Sequence, residues 1–240
     1  MASVLTLSDK YEEVIPPVVK GAAGIIAAAV KEPSIKPFVY ISSSSAALMP
    51  QLDMKTESKP AAFDLYSAAK IEAEMAIWSA VEKHKPQFQV ATVLPTSADT
   101  TTTMSTWARS FTLSSRSTVP RLLGLSSLHV ATPLSLQVMV PRWFVNVQDT
   151  ARLHVFTLLD LECNGERILA FAVPFNGNDV LAALQKLYPD YKFWNDMPGQ
   201  GKDITEVPTE DAEKSLQKHY NRGFPGLEET LKEVYADITF

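Results

Sequence analysis

The sequence contains a single cysteine, Cys163, so an intrachain disulfide and a thiolate metal cluster are both excluded. That suits a reducing compartment, and a cytoplasmic location is the expectation. Basic clusters are missing too: 22 Lys and Arg against 27 Asp and Glu leave a net charge of -5. Nothing in that balance calls for nucleic acid or an anionic membrane as partner. No stretch reaches the roughly 20 apolar residues of a membrane-spanning helix. The most apolar one, Gly21 to Val30, is fenced by Lys20 and Lys31 and reads as a packed helix. The start, Met1-Ala-Ser-Val-Leu-Thr-Leu-Ser, lacks the basic end and the apolar length of a secretory signal. His84, His129, His154 and His219 stand far apart without metal-ligand spacing, so no metal is expected. No Gly-x-Ser-x-Gly elbow offers a hydrolase nucleophile. Gly-x-x-Gly-x-x-Gly is also absent, and Gly199-Gln-Gly201, which follows Pro198 with no strand before it, is no substitute for a pyrophosphate cradle.

What is present is a globular composition, 46% hydrophobic and 20% charged over 240 residues, long enough for one large or two small domains. Helical spacing runs from Glu12 to Lys31, with Pro16 and Pro17 tolerated in the first turn and Val14, Val18, Ala22, Ile25, Ile26 and Ala29 near one face. Gly21, Ala22, Ala23 and Gly24 would let this helix lie close against a sheet. Phe38-Val-Tyr-Ile41 is a short buried strand, and Met49 to Pro60 a loop. A second helix spans Leu65 to His84, with Tyr66, Ala69, Lys70, Ala73, Ala76, Ile77, Ala80 and Val81 on one stripe. Phe88 to Leu94 is a second buried strand, ending at Pro95. Thr96 to Leu136 reads as loop with one short helix near Trp107. Order returns at Trp143-Phe-Val-Asn-Val, followed by a helix from Asp149, the N-cap, to Leu159. Arg167 to Ala172 is a third strand; further helices are expected at Asn178 to Leu187, Thr209 to His219 and Leu227 to Tyr235. Alternation of this kind predicts an α/β fold with a parallel sheet.

Chemistry concentrates in Tyr66-Ser-Ala-Ala-Lys70 and the serine run Ser42 to Ser45. Residues four apart share a helix face, so Tyr66 and Lys70 can address one ligand. A free phenol titrates near about 10, and an adjacent ammonium favours its phenolate, which makes the tyrosine a better acid and base near neutrality. Tyr66 could protonate a carbonyl oxygen while Ser43 hydrogen-bonds the same atom and Lys70 holds ribose hydroxyls. Spacing alone is weak evidence. A second Tyr-x-x-x-Lys, Tyr188 to Lys192, encloses Pro189 at a helix end and reads as chance. Glu72 and Glu74 read as a solvated helix face.

Phe38-Val-Tyr-Ile-Ser-Ser-Ser, Tyr66-Ser-Ala-Ala-Lys70-Ile-Glu-Ala-Glu and Phe88-Gln-Val-Ala-Thr-Val-Leu-Pro95 together resemble the core of the extended short-chain dehydrogenase/reductases. The resemblance is to the dihydroflavonol reductase-like group and to fungal ketone and aldehyde reductases. It continues through Trp143 to His154, Gly165-Glu-Arg-Ile, Pro174 to Asp179 and Arg222-Gly-Phe to Glu229. By position it implies catalytic roles for Ser43, Tyr66 and Lys70, with Ser44 the runner-up serine. Tyr66, Lys70 and Pro95 would face NADPH, and the substrate would be a small-molecule ketone or aldehyde, in secondary metabolism. It also implies an incomplete Rossmann-like parallel sheet with helices on both faces and a small C-terminal substrate-side subdomain. Residues 1–95 would carry the Ser/Tyr/Lys centre, and residues 96–240 the remaining strand and the substrate side.

The family's opening strand, glycine turn and adenosine-binding strands have no counterpart here, since Met1-Ala-Ser3 aligns with the end of its fourth strand. The expectation is therefore a chain lacking the N-terminal nucleotide-binding half, which is either supplied by another chain or lost from the gene model. Without it NADPH binding is in question, and the Phe38 strand has an open edge that a partner chain would cover. The alternatives are a cofactor-free isomerase, lyase or cyclase reusing the Ser/Tyr/Lys centre, and a non-catalytic remnant.

Overall fold

The computed structural model describes residues 10–48, 61–99, 141–191, 193 and 195–236. The first helix is α1 (Tyr11–Val30), and Pro16 and Pro17 lie inside it, a turn deeper than expected. The carbonyls that would bond their missing N–H groups belong to Glu12 and Glu13, exposed residues at the helix start where water serves them. Val14, Ile15, Val18, Ala22, Ile26 and Ala29 are buried. Ile25, assigned to that face by spacing, is instead 45% exposed. The reason is the neighbour: α1 packs chiefly against a single helix, α2 (Ala61–His84), so its buried stripe is narrow. Small residues still set the closeness, through Ala22 of α1 and Ala69 and Ala73 of α2, whereas Gly21 and Gly24 are exposed.

The strands are β1 (Pro37–Ile41), β2 (Gln89–Pro95), β3 (Ser97–Asp99), β4 (Arg142–Asn146), β5 (Arg167–Ala170) and β6 (Val173–Phe175). They form two three-stranded sheets, ordered β1-β2-β5 and β3-β4-β6. The first is parallel throughout, as the alternation of helices and strands predicts. Tyr40 of β1 and Val90 of β2 pack under α1 and α2 on one face. Ala91, Val93 and Ile168 pack on the other against α3 (Val147–Leu159) and α5 (Glu210–Tyr220). Helices thus cover both faces of an α/β sheet. Six of the seven residues of β2 are buried, as befits its central place. In β1 only Tyr40 is buried, and Ile41 is 53% exposed, so this strand is less covered than its apolar sequence suggests. Among the described residues no strand pairs with its other edge.

The second sheet is mixed, with β3 parallel and β6 antiparallel to β4. It was not expected. The strand foreseen at Arg167 to Ala172 ends at Ala170, because the Ala172 N–H already donates to the Phe144 carbonyl of β4 at 2.8 Å. The foreseen loop after Pro95 likewise begins with strand β3. Phe144 and Phe175 meet edge to face at 5.7 Å and seed a core with Val180, Leu181 and Leu184 of α4 (Gly177–Leu187) and Leu231 of α6 (Leu227–Tyr235). The N-cap of α3 is Asn146, whose Oδ1 accepts from the Gln148 N–H at 2.8 Å. Asp149, expected there, sits in the first turn, fully buried. The loop expected over Met49 to Pro60, the short helix near Trp107 and Lys192 lie outside the described residues.

Candidate active site

In a parallel sheet ligands gather at the carboxyl ends of the strands. For β1, β2 and β5 that edge is marked by Ile41, Pro95 and Ala170, and Pro95 stands in register with Ala170. The serine run leaves β1 at this edge. The Ser42 N–H makes a last ladder-like bond to the Val93 carbonyl, at 2.8 Å. Ser43 is then extended and caps a 3-10 turn, Ser44–Ala46, its Oγ accepting from the Ser45 N–H at 3.3 Å. That bond uses the oxygen and leaves the hydroxyl proton to donate elsewhere. The serines are therefore not equivalent. Ser42 is buried and donates to Glu74 Oε2 at 2.5 Å, Ser43 is 8% exposed, and Ser44 is half-buried within the turn.

Tyr66 and Lys70 lie one turn apart on α2, both half-buried, with the Lys70 ammonium 5.7 Å from the Tyr66 ring centroid. Burial pulls the Lys70 pKa below the ordinary lysine range. The Ser44–Ala46 turn packs against α2, so the segment that carries Ser43 meets the helix that carries Tyr66 and Lys70. An apolar stripe on α2 (Ala69, Ala73, Ile77) holds the helix down and leaves these two polar side chains at its margin.

Glu72 is exposed, as expected of a solvated face, but Glu74 is only 3% exposed and overturns that reading. Its carboxylate accepts from Ser42 Oγ, from Thr92 Oγ1 at 3.1 Å, from Trp78 Nε1 at 3.4 Å and from Arg167 Nε at 2.7 Å. Position 74 falls four residues after Lys70 and three before Ile77, hence on the buried stripe. Register explains the partners: Tyr40 pairs with Thr92, and Thr92 with Arg167, so one cross-strand row lies beneath the carboxylate. Burial alone would push the Glu74 carboxyl up. The hydrogen bonds from Arg167 and Ser42, the Arg167 charge and the Trp78 N–H outweigh it and hold the pKa below the usual carboxylate range. Tyr40 in the same row has a buried hydroxyl with no hydrogen-bond partner; burial, then the charges of Glu74 and Tyr66, raise its pKa.

The remaining candidates fall away from this edge. Tyr188 is the C-cap of α4. Gln200 and Gly201 accept hydrogen bonds from Gly177 and Asn176 at the start of α4, which explains the Gly199 to Gly201 segment as packing. Cys163 is buried, and burial with the Asp160 and Glu166 charges pushes its thiol up to about 11. His154 bonds the Thr150 carbonyl through Nδ1 at 2.7 Å. Among the described residues no group of three His, Cys, Asp or Glu side chains could hold a metal ion. Against the expectation that no stretch is long and apolar enough to cross a membrane, the described helix α1 is so by length and composition alone, with mean hydropathy 1.6, although its Val14 to Ala29 stripe is packed in the core.

No protein-family model matches the chain. Aldehyde reductase 2 of Sporidiobolus salmonicolor is 32% identical over 260 residues, covering 100% of this chain and 74% of that protein. Ketoreductase adrE of Penicillium rubens is 30% identical over 246 residues, covering 95% of this chain and 69% of that protein. Among solved structures, yeast methylglyoxal/isovaleraldehyde reductase Gre2 complexed with NADPH superposes with a TM-score of 0.69 at 20% identity, over 98% of this chain and 74% of that one.

Proposed function

The chain belongs to the short-chain dehydrogenase/reductases of the NAD(P)-dependent epimerase/dehydratase-like type, an oxidoreductase family, and from that premise we propose that Ser43, Tyr66 and Lys70 carry out NADPH-dependent reduction of a ketone or aldehyde. The observation that carries the reading is the contact of the Ser44–Ala46 turn, which Ser43 caps, with α2, the helix that carries Tyr66 and Lys70, at the carboxyl edge of a parallel sheet.

The residues at this edge suit the nicotinamide and ribose end of the cofactor. Lys70 would offer three N–H donors to the ribose hydroxyls, and Pro95, which ends β2 and has no backbone N–H, would face the nicotinamide. Among the described residues no glycine-rich turn joins a strand to a helix for the pyrophosphate. When bound, the nicotinamide supplies a hydride to the carbonyl carbon. Everything else falls to this chain. Ser43 donates its remaining hydroxyl proton in a hydrogen bond to the substrate oxygen and fixes its direction. Tyr66 transfers its phenolic proton to that oxygen as negative charge builds there, so the carbonyl leaves as an alcohol and the phenolate remains. The Lys70 charge beside the ring offsets that phenolate until solvent returns the proton. Aldehyde reductase 2 and ketoreductase adrE are named for aldehyde and ketone reduction, and a small-molecule ketone or aldehyde is the substrate class this reading takes from them.

The test is isotopic. NADPH deuterated at the transferable position should yield, from a panel of small ketones and aldehydes, an alcohol with deuterium on the carbinol carbon. Consumption of carbonyl without deuterium in the product would replace reduction by a cofactor-free reaction at the same residues.

A further inference from the structure

We propose that Glu74 and Arg167 act as a positioning pair that fixes Ser43 relative to Tyr66; this rests on the carbonyl-reductase reading of the Ser43, Tyr66 and Lys70 site. Ser43 and Tyr66 must converge on one oxygen, and an error of an ångström in such convergence lowers turnover by about a hundredfold. Yet Ser43 lies beyond the end of β1, past the last backbone bond to β2, from Ser42 to Val93. From there side chains do the fixing, and they come from both flanks. Before Ser43, the Ser42 hydroxyl donates to Glu74 Oε2 at 2.5 Å. After it, Arg167 Nη2 reaches the Ala46 carbonyl at 3.5 Å, while Nε of the same guanidinium donates to Glu74 Oε1 at 2.7 Å.

One carboxylate therefore grips the serine segment directly on one side and through Arg167 on the other. Glu74 also sits on the same helix as Tyr66, two turns along, so the positions of Ser43 and Tyr66 are referred to a single rigid element, α2. Thr92 and Trp78 take the remaining acceptor capacity of Oε1 and stop the carboxylate from swinging. All four partners are donors, which only an acceptor with two oxygens and a negative charge satisfies in full. Neither Glu74 nor Arg167 touches the reacting atoms. Their effect is on where Ser43 stands.

Hydrogen exchange on the intact chain and steady-state kinetics test this together. Ser42→Ala and Arg167→Met each remove one flank and leave the apolar core untouched. Both should speed exchange at Ala46, Ala47 and Leu48 by about tenfold, with the Val93 and α1 amides unchanged. Both should lower kcat about ten- to hundredfold with the KM for NADPH within about twofold. Glu74→Gln sets an amide donor against the Ser42 hydroxyl and removes the charge that holds Arg167, so it should loosen the same amides and lower kcat to a similar degree. Unchanged exchange at Ala46 to Leu48 in both flank variants overturns the pair, and so does a loosened segment with full kcat. If the wild-type chain reduces no carbonyl, the functional reading fails, and the exchange result still decides whether the pair holds the segment.

Discussion

In the β1-β2-β5 sheet one buried carboxylate, Glu74, reaches from its helix to β2, to β5 and to the end of β1. Elsewhere in the molecule several buried polar groups act at short range, although Asn146 of β4 donates through Nδ2 to Glu233 of α6 at 2.9 Å. Asn176 and Asp179 form a capping box at the start of α4. Asp149 binds Arg152 one turn along α3 at 2.6 Å, and Arg222 approaches it at 3.9 Å. Asp203 accepts from the N–H of Thr205, two residues on. Local bonds of that kind set where a helix starts. A bond that spans three strands sets where one element stands against another, and that is what a site needs when its serine and tyrosine come from different elements.

The sharpest way to break this contrast is to attack a buried carboxylate outside the Glu74 row. Asp149→Ala strips a fully buried carboxylate from two arginines and should destabilise the fold by about 2 to 3 kcal/mol, less than the roughly 3 to 5 of a fully buried pair because both arginines are partly exposed. Turnover per folded molecule should stay at the wild-type value. Urea unfolding with parallel assays measures both, and a large loss of turnover at unchanged stability would move Asp149 into the site.

A smaller effect sharpens the first region. The Glu74 pKa lies below its value of about 4.3 in an unfolded chain, so the fold favours the ionised form. The stabilisation is complete above that unfolded value and is lost as pH falls through the lower folded one. Urea midpoints should show wild type ahead of Glu74→Gln at pH 7 and converging with it as acid protonates Glu74. A gap that persists unchanged into acid would mean that the charge of Glu74 contributes nothing.

The smallest effect concerns Tyr40, whose hydroxyl is buried under Glu74 without a hydrogen-bond partner. Tyr40→Phe removes an unsatisfied polar group at nearly constant shape and should be neutral or stabilising by up to about 1 kcal/mol. A lowered melting temperature would show that this hydroxyl belongs to the Glu74 cluster.

Much of this was legible in the sequence. The order of helices and strands and the parallel sheet follow from periodicity, and most of the foreseen boundaries lie within a few residues of those observed. Caps were harder. Asn146 and Asp149 are both capping residues, and where β4 ends, not residue type, decides between them. Glu74 was misread because Glu72-x-Glu74 has the look of a wet helix face. Its place between Lys70 and Ile77 on the buried stripe was visible in the spacing. Its donors were not, since Thr92 and Arg167 are 18 and 93 residues away and meet it only through strand register. The serine run has the same difficulty: nothing local separates Ser42 from Ser43, and the tertiary bond to Glu74 does. The small mixed sheet escaped because β3 and β6 have three residues each, too few to show a period.

The most direct measurement is the turnover of Tyr66→Phe. The variant loses one hydroxyl from a half-buried ring and keeps its packing, so its melting temperature should match wild type. Reduction of a carbonyl substrate with NADPH should fall by about a hundredfold or more, the scale for losing a positioned acid. A folded Tyr66→Phe protein that turns over at the wild-type rate would contradict the assignment of this edge as the reducing centre.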